Sequence, residues 1–140
     1  PVALAPHTTM GFRTDQWAAW GGYMEECVGN GGGEPWITFK HWMFGGQVWL
    51  TTDTGFIHYL GVPYKRSRFE WKKNHTMTAA GLGGYLVGKE YAVKLDCVHV
   101  YDSEIWPKAE KYYNFVKSKQ QIPFTELLNH LKKIKAHPFC

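Results

Sequence analysis

Gly31-Gly32-Gly33-Glu34-Pro35-Trp36 opens the stretch whose reading decides this chain, and Gly45-Gly46-Gln47-Val48-Trp49-Leu50-Thr51-Thr52-Asp53-Thr54-Gly55-Phe56-Ile57-His58 closes it. The run of glycines accepts almost any backbone shape. Glu34 and Pro35 then start a helix. Proline is favoured at the first helical position, where its missing N–H costs nothing, and a carboxylate there faces the positive end of the helix dipole. Trp36, Ile37, Phe39, Trp42, Met43 and Phe44 give a broad apolar face at helical spacing. Gly45 is a helix stop. Gln47 to Thr52 and Gly55 to Tyr59 read as two short strands, with Asp53-Thr54 as the bend between them. The order is therefore a carboxylate on a glycine loop, an aromatic helix, and a histidine, His58, at the end of a strand pair.

Outward from this stretch, Thr9 to Arg13 reads as a short strand. Thr14 or Asp15 can cap a short helix carrying Trp17 and Trp20, which Gly21-Gly22-Tyr23 ends. Gly61 to His75 reads as a basic surface loop. Residues 76 to 96 read as helical, although Gly81, Gly83, Gly84 and Gly88 weigh against a stable helix. Trp106-Pro107 begins a helix to about Lys119. Pro123-Phe124-Thr125-Glu126 begins another, with Leu127, Leu128, Leu131 and Ile134 as one apolar face and Pro138 as its end.

A chain of 140 residues, 44% apolar and 16% aromatic, has the length and composition of one globular domain with a real core. No apolar run approaches the roughly 18 to 20 residues of a membrane helix. The start, Pro1-Val2-Ala3-Leu4-Ala5-Pro6, lacks both an initiator Met and the pattern of a signal peptide, so the chain reads as a processed or excised segment. Three cysteines, Cys27, Cys97 and Cys140, have no CxxC spacing. That argues against a zinc site or a disulfide framework and for a reducing, cytoplasmic location. The net charge of +4 is uneven: residues 1 to 62 carry −3 and residues 63 to 140 carry +7. The basic half favours an anionic partner such as nucleic acid, phospholipid or nucleotide phosphate.

The segment from about residue 5 to residue 60 resembles the second half of the GT-A glycosyltransferase fold, especially the polypeptide N-acetylgalactosaminyltransferases and their family-2-like relatives. In that family a glycine-glycine-glutamate loop opens a helix rich in Phe and Trp. The helix ends in Gly-Gly, a short apolar strand follows, and a histidine closes the segment. Gly45 to His58 fits that spacing without a gap, with Thr52-Asp53-Thr54 standing where the family has Pro-Cys-Ser. The resemblance implies an α/β fold, a partial GT-A acceptor-side half with short strands, spanning residues 1–75. Residues 76–140 would form an appended, basic, helical region. It also implies a metal-assisted transfer from a nucleotide-diphosphate sugar to an acceptor. The Asp-x-Asp motif that precedes this region in the family has no counterpart upstream of Gly31, so the isolated segment would lack the donor half.

On this reading Glu34 is the catalytic carboxylate, able to take the acceptor hydroxyl's proton or to stabilise an oxocarbenium-like centre. Gly32 and Gly33 let the sugar approach the backbone, and Trp36, ahead of Trp20, stacks on it. Trp42 and Trp49 are core residues. His58 is the ligand to Mn²⁺ or Mg²⁺. Tyr64, Lys65 and Arg66 close over the donor phosphates by charge-assisted hydrogen bonds. His7, His41, His75, His99, His130 and His137 show no metal-ligand spacing and receive no role.

Two other readings stand beside it. Phe69, Trp71, Tyr112, Tyr113 and Phe115, interleaved with Lys and Arg, suit a nucleic-acid-binding module. A glycosyltransferase acting on modified DNA bases would merge the two. An inert scaffold that keeps the half-site without binding donor is the third.

Overall fold

The computed structural model describes residues 10–27, 31–49 and 67–136. Among them every regular element is helical: α1 (Thr14–Ala19), α2 (Gly33–Met43), α3 (Arg68–Gly83), α4 (Tyr85–Lys94), α5 (Val98–Val100), a π-helical turn over Tyr101–Ile105, α6 (Trp106–Lys119) and α7 (Phe124–Lys133). The α/β expectation is thereby overturned. Residues 10–13 form no strand, and neither do Gln47, Val48 and Trp49. A strand needs a ladder partner for its N–H and C=O groups, and among the described residues none lies beside these. The remainder of the expected strand pair, with its bend at Asp53-Thr54, falls outside the described residues.

The α2 boundaries follow from local chemistry. Gly32 takes the N-cap with φ of +80°, a left-handed conformation that costs glycine little. Phe44 is the C-cap, and Gly45, at φ +79°, stops the helix. Trp36, Ile37, Trp42 and Met43 are buried in the common core with Met77, Ala80 and Leu82 of α3, Tyr101 and Ile105 of the π turn, Ala109 and Val116 of α6, and Leu127 and Leu131 of α7. Each fully buried side chain of Leu, Ile or Met size contributes about 1.5–3 kcal/mol. Trp49 is the exception among the expected core tryptophans, at 66% exposed. Leu128 also leaves the expected apolar face of α7 and lies in solvent, because only Leu127 and Leu131 point inward.

The hub is α3, which packs against α2, α4, α6 and α7. Its first two turns replace part of the expected loop at residues 61–75, and it runs unbroken across residue 75. Ser67 caps it, its side chain accepting the Glu70 N–H at 3.2 Å. Replacing Ser67 with alanine is expected to lower stability by about 1 kcal/mol, readable as a lower urea midpoint at unchanged slope.

The glycines that weigh against a helix at 76–88 are what allow two helices to touch. A Cβ on Gly88 would collide with the Ala80 Cβ and the Tyr101 hydroxyl. One on Gly81 would collide with the Met24 side chain. Their helix cost of about 1 kcal/mol each is offset by the close approach of α3 to its neighbours. The chain reverses between α3 and α4 at Gly84, at φ +87°.

Candidate functional site

The helix start at Glu34 and the segment before α2 meet on one side of α3. Gly32 is the anchor. Its N–H donates to His75 Nε2 at 3.2 Å, and its carbonyl accepts from the Thr78 hydroxyl at 2.9 Å. His75 and Thr78 are one turn apart on α3, so one residue of the glycine loop is gripped from both sides by a single helix. A Cβ on Gly32 would lie 2.8 Å from the Asn74 carbonyl oxygen and from Thr78 Oγ1, and one on Gly31 would lie 2.6 Å from Trp71. The loop is seated against α3 as closely as glycine allows.

Glu34 lies in the first turn of α2, half-buried. Its charge reaches two ionisable neighbours. Burial, with Glu34 beside it, pushes the Tyr23 phenol up. Burial lowers His75 below the ordinary histidine value while Glu34 opposes that shift. Trp71 covers the imidazole at 4.1 Å between ring centroids. Tyr23 is 45% exposed and Trp71 38% exposed, and Tyr23 meets Trp17 edge-on at 5.4 Å.

The segment bearing Tyr23 is held from α2. The Lys40 ammonium is buried, the residue being 1% exposed. It donates to the Gly21 carbonyl and, at 2.7 Å, to the Gly22 carbonyl. The Gly22 carbonyl also accepts from Trp36 Nε1 at 2.9 Å, and the Trp36 ring lies under the ammonium at 4.4 Å. Burial pulls the Lys40 pKa down to about 7. Trp36 is therefore a buried strut rather than the expected sugar platform: it is 1% exposed, with Lys40 over its ring and Tyr112 at its edge. Trp20, the other expected stacking residue, packs edge-on against His41 and Phe44.

Of the residues expected from sequence, Glu34, Gly32 and Gly33 come together at this helix start. His58, Tyr64, Lys65 and Arg66 lie outside the described residues. Among the described residues no group of three His, Cys, Asp or Glu side chains is gathered to hold a metal ion. The sequence reading missed Tyr23, Lys40, His75 and Thr78. One signal pointed toward His75: Ser67-Arg68-Phe69-Glu70 has the Ser-x-x-Glu spacing of a helix start, which sets Trp71 and His75 one turn apart on a helix.

Three lysines of the second half are closely paired, one of them with an acid of the first half. Lys73 pairs with Glu104 at 3.0 Å, Lys89 with Asp102 at 2.6 Å, and Lys111 with Glu26. Among the described residues no helix is long and apolar enough to cross a membrane. Compared with family models, curated proteins and solved structures, the chain matches none of them.

Proposed function

We propose that this chain is a glycosyltransferase, or the C-terminal part of one, that uses a nucleotide-diphosphate sugar, with Glu34 as its catalytic carboxylate. The observation that carries this reading is the seating of Gly32 between His75 and Thr78, which fixes a carboxylate at a helix start beside half-exposed aromatic rings. Sugar transfer needs a group that takes the acceptor hydroxyl's proton or faces the positive charge developing at the anomeric carbon, and Glu34 serves either role. Gly32 is buried against α3 and seats the loop, so an acceptor would approach the backbone at Gly33. Tyr23 and Trp71, rather than Trp36, supply the stacking surface. The acceptor thus carries an attacking hydroxyl and a flat or sugar-like face.

His58 as ligand to Mn²⁺ or Mg²⁺, and Tyr64, Lys65 and Arg66 as phosphate contacts, remain part of the proposal through the spacing Gly45 to His58. So does a cytoplasmic location, supported by the free thiols of Cys27 and Cys97.

Calorimetric titration of the longest protein that carries this segment with UDP, GDP and their sugars, with and without Mn²⁺, tests the donor class. Metal-dependent binding of one nucleotide is expected. Absence of binding for every donor would sink the reading.

The nucleic-acid reading keeps one specific support. Lys117, Lys119, Lys132 and Lys133 are exposed at the last turns of α6 and α7, and Lys135 is exposed just beyond α7. DNA affinity that falls steeply with salt, by a slope of about −0.9 per phosphate contacted, is its signature, and a salt-independent affinity excludes it.

A further inference from the structure

We propose that His75 is the positioning residue for Glu34: its imidazole latches the glycine loop by accepting the Gly32 N–H, and proton uptake at Nε2 opens the latch. What Glu34 does once positioned rests on the glycosyltransferase reading, whereas the latch itself rests on geometry alone.

The Gly32 N–H reaches Nε2 at 3.2 Å, so this nitrogen carries no proton and the neutral ring is protonated at Nδ1. Thr78 holds the carbonyl of the same residue at 2.9 Å, and Trp71 fixes the ring plane from one turn back. Gly32, at φ +80°, has no room for a side chain against α3. The loop has one seat, and Glu34 is two residues beyond it.

A second proton would set an N–H against the Gly32 N–H, two donors with nothing between them, and the bond would be lost. The imidazolium would then attract the charged group that faces it from α2, which is Glu34. That draws the carboxylate toward α3 and away from an acceptor hydroxyl. The lysines beside His75 on α3 are turned to other partners: Lys72 to Asp96, and Lys73 to Glu70 and Glu104. Tyr23, from the segment before α2, is the other titratable group near Glu34, and burial pushes it up, away from the range in which His75 titrates. Burial is the larger influence on His75 and lowers it from the ordinary histidine value, so the latch is closed at neutral pH and opens as the pH falls through the lowered midpoint.

The test is nuclear magnetic resonance of the full chain between pH 8 and pH 5. The expected result has three parts. His75 is protonated at Nδ1 alone at pH 8. The Gly32 amide shifts and loses exchange protection with the same midpoint as the imidazole. His75→Gln, whose amide oxygen can accept the same N–H but cannot charge, keeps the amide protected at both ends of the range. His75→Phe removes the acceptor and speeds Gly32 exchange about tenfold at pH 8. In a transfer assay, His75→Gln loses the acid limb of the wild-type pH profile. A Gly32 amide that ignores both the imidazole titration and the His75→Phe substitution overturns the latch. A protein that passes the resonance tests but transfers no sugar keeps the latch and removes the glycosyltransferase reading instead.

Discussion

Replacing Glu34 with glutamine is expected to slow sugar transfer by about 10²- to 10⁴-fold, the usual contribution of a positioned general base. The side chain keeps its size and loses only the ability to hold a proton or a negative charge. Its place in the first turn of α2 means that the fold loses a helix-dipole contact of about 0.3–1 kcal/mol. The loss should therefore fall on kcat, with the thermal midpoint nearly unchanged. The substitution also has a signature that needs no substrate. Glu34 holds the His75 pKa up against burial and adds to the upward shift of Tyr23. In the variant both groups should titrate at lower pH, and resonance titration reads this directly. Turnover near wild type would remove Glu34 from the chemistry. Titrations of His75 and Tyr23 that stay put would remove it from their neighbourhood.

Stability should increase as pH rises from 7 toward 10, and Lys40 should be the cause. In the unfolded chain Lys40 titrates in the ordinary lysine range near 10.4, and in the folded protein burial brings it to about 7. Between those values the unfolded state binds the extra proton, so raising the pH favours the folded state. Each pH unit in the window contributes at most about 1.4 kcal/mol, and the window as a whole contributes up to about 5 kcal/mol. The Gly21 and Gly22 carbonyls and the Trp36 ring hold the proton and reduce that figure.

Lys40→Met isolates the effect. It removes the titrating amine, keeps an unbranched side chain, and leaves the Gly22 carbonyl its bond from Trp36. The Gly21 carbonyl loses its Lys40 donor, at about 1–3 kcal/mol. The variant should gain on wild type as pH falls toward 7 and lose to it near pH 10. Urea unfolding at pH 7, 8.5 and 10 measures this, and parallel curves for the two proteins would refute it.

The parts of the fold legible in the sequence are those set by local chemistry. Glu34-Pro35, Trp106-Pro107 and Pro123-Phe124 mark three helix starts, and each helix is present. Short-range rules failed where distant packing decides. Gln47 to Trp49 carries strand-forming residues, but no neighbouring strand completes a ladder among the described residues. Residues 68–83 looked basic at one end and glycine-rich at the other. They are one helix because Gly81, along with Gly88 of α4, makes room for Met24, Ala80 and Tyr101. The candidate site divides the same way. The place of Glu34 at a helix start was legible because glycine loop, carboxylate and proline are adjacent in sequence. His75 joins it across 43 residues and Lys40 reaches Gly22 across 18, separations that no local pattern encodes. Trp36 was misjudged because an aromatic ring beside a loop reads alike whether it stacks on a ligand or supports the loop from within.

The glycosyltransferase reading meets its most direct test in release of nucleoside diphosphate from UDP- and GDP-sugars by the longest protein that carries this segment, with Mn²⁺ and hydroxyl-bearing acceptors, run beside the Glu34→Gln variant. Metal-dependent release from the sugars of one nucleotide, nearly abolished in the variant, is the expected result. Release that the variant matches, or no release from any donor, would contradict it.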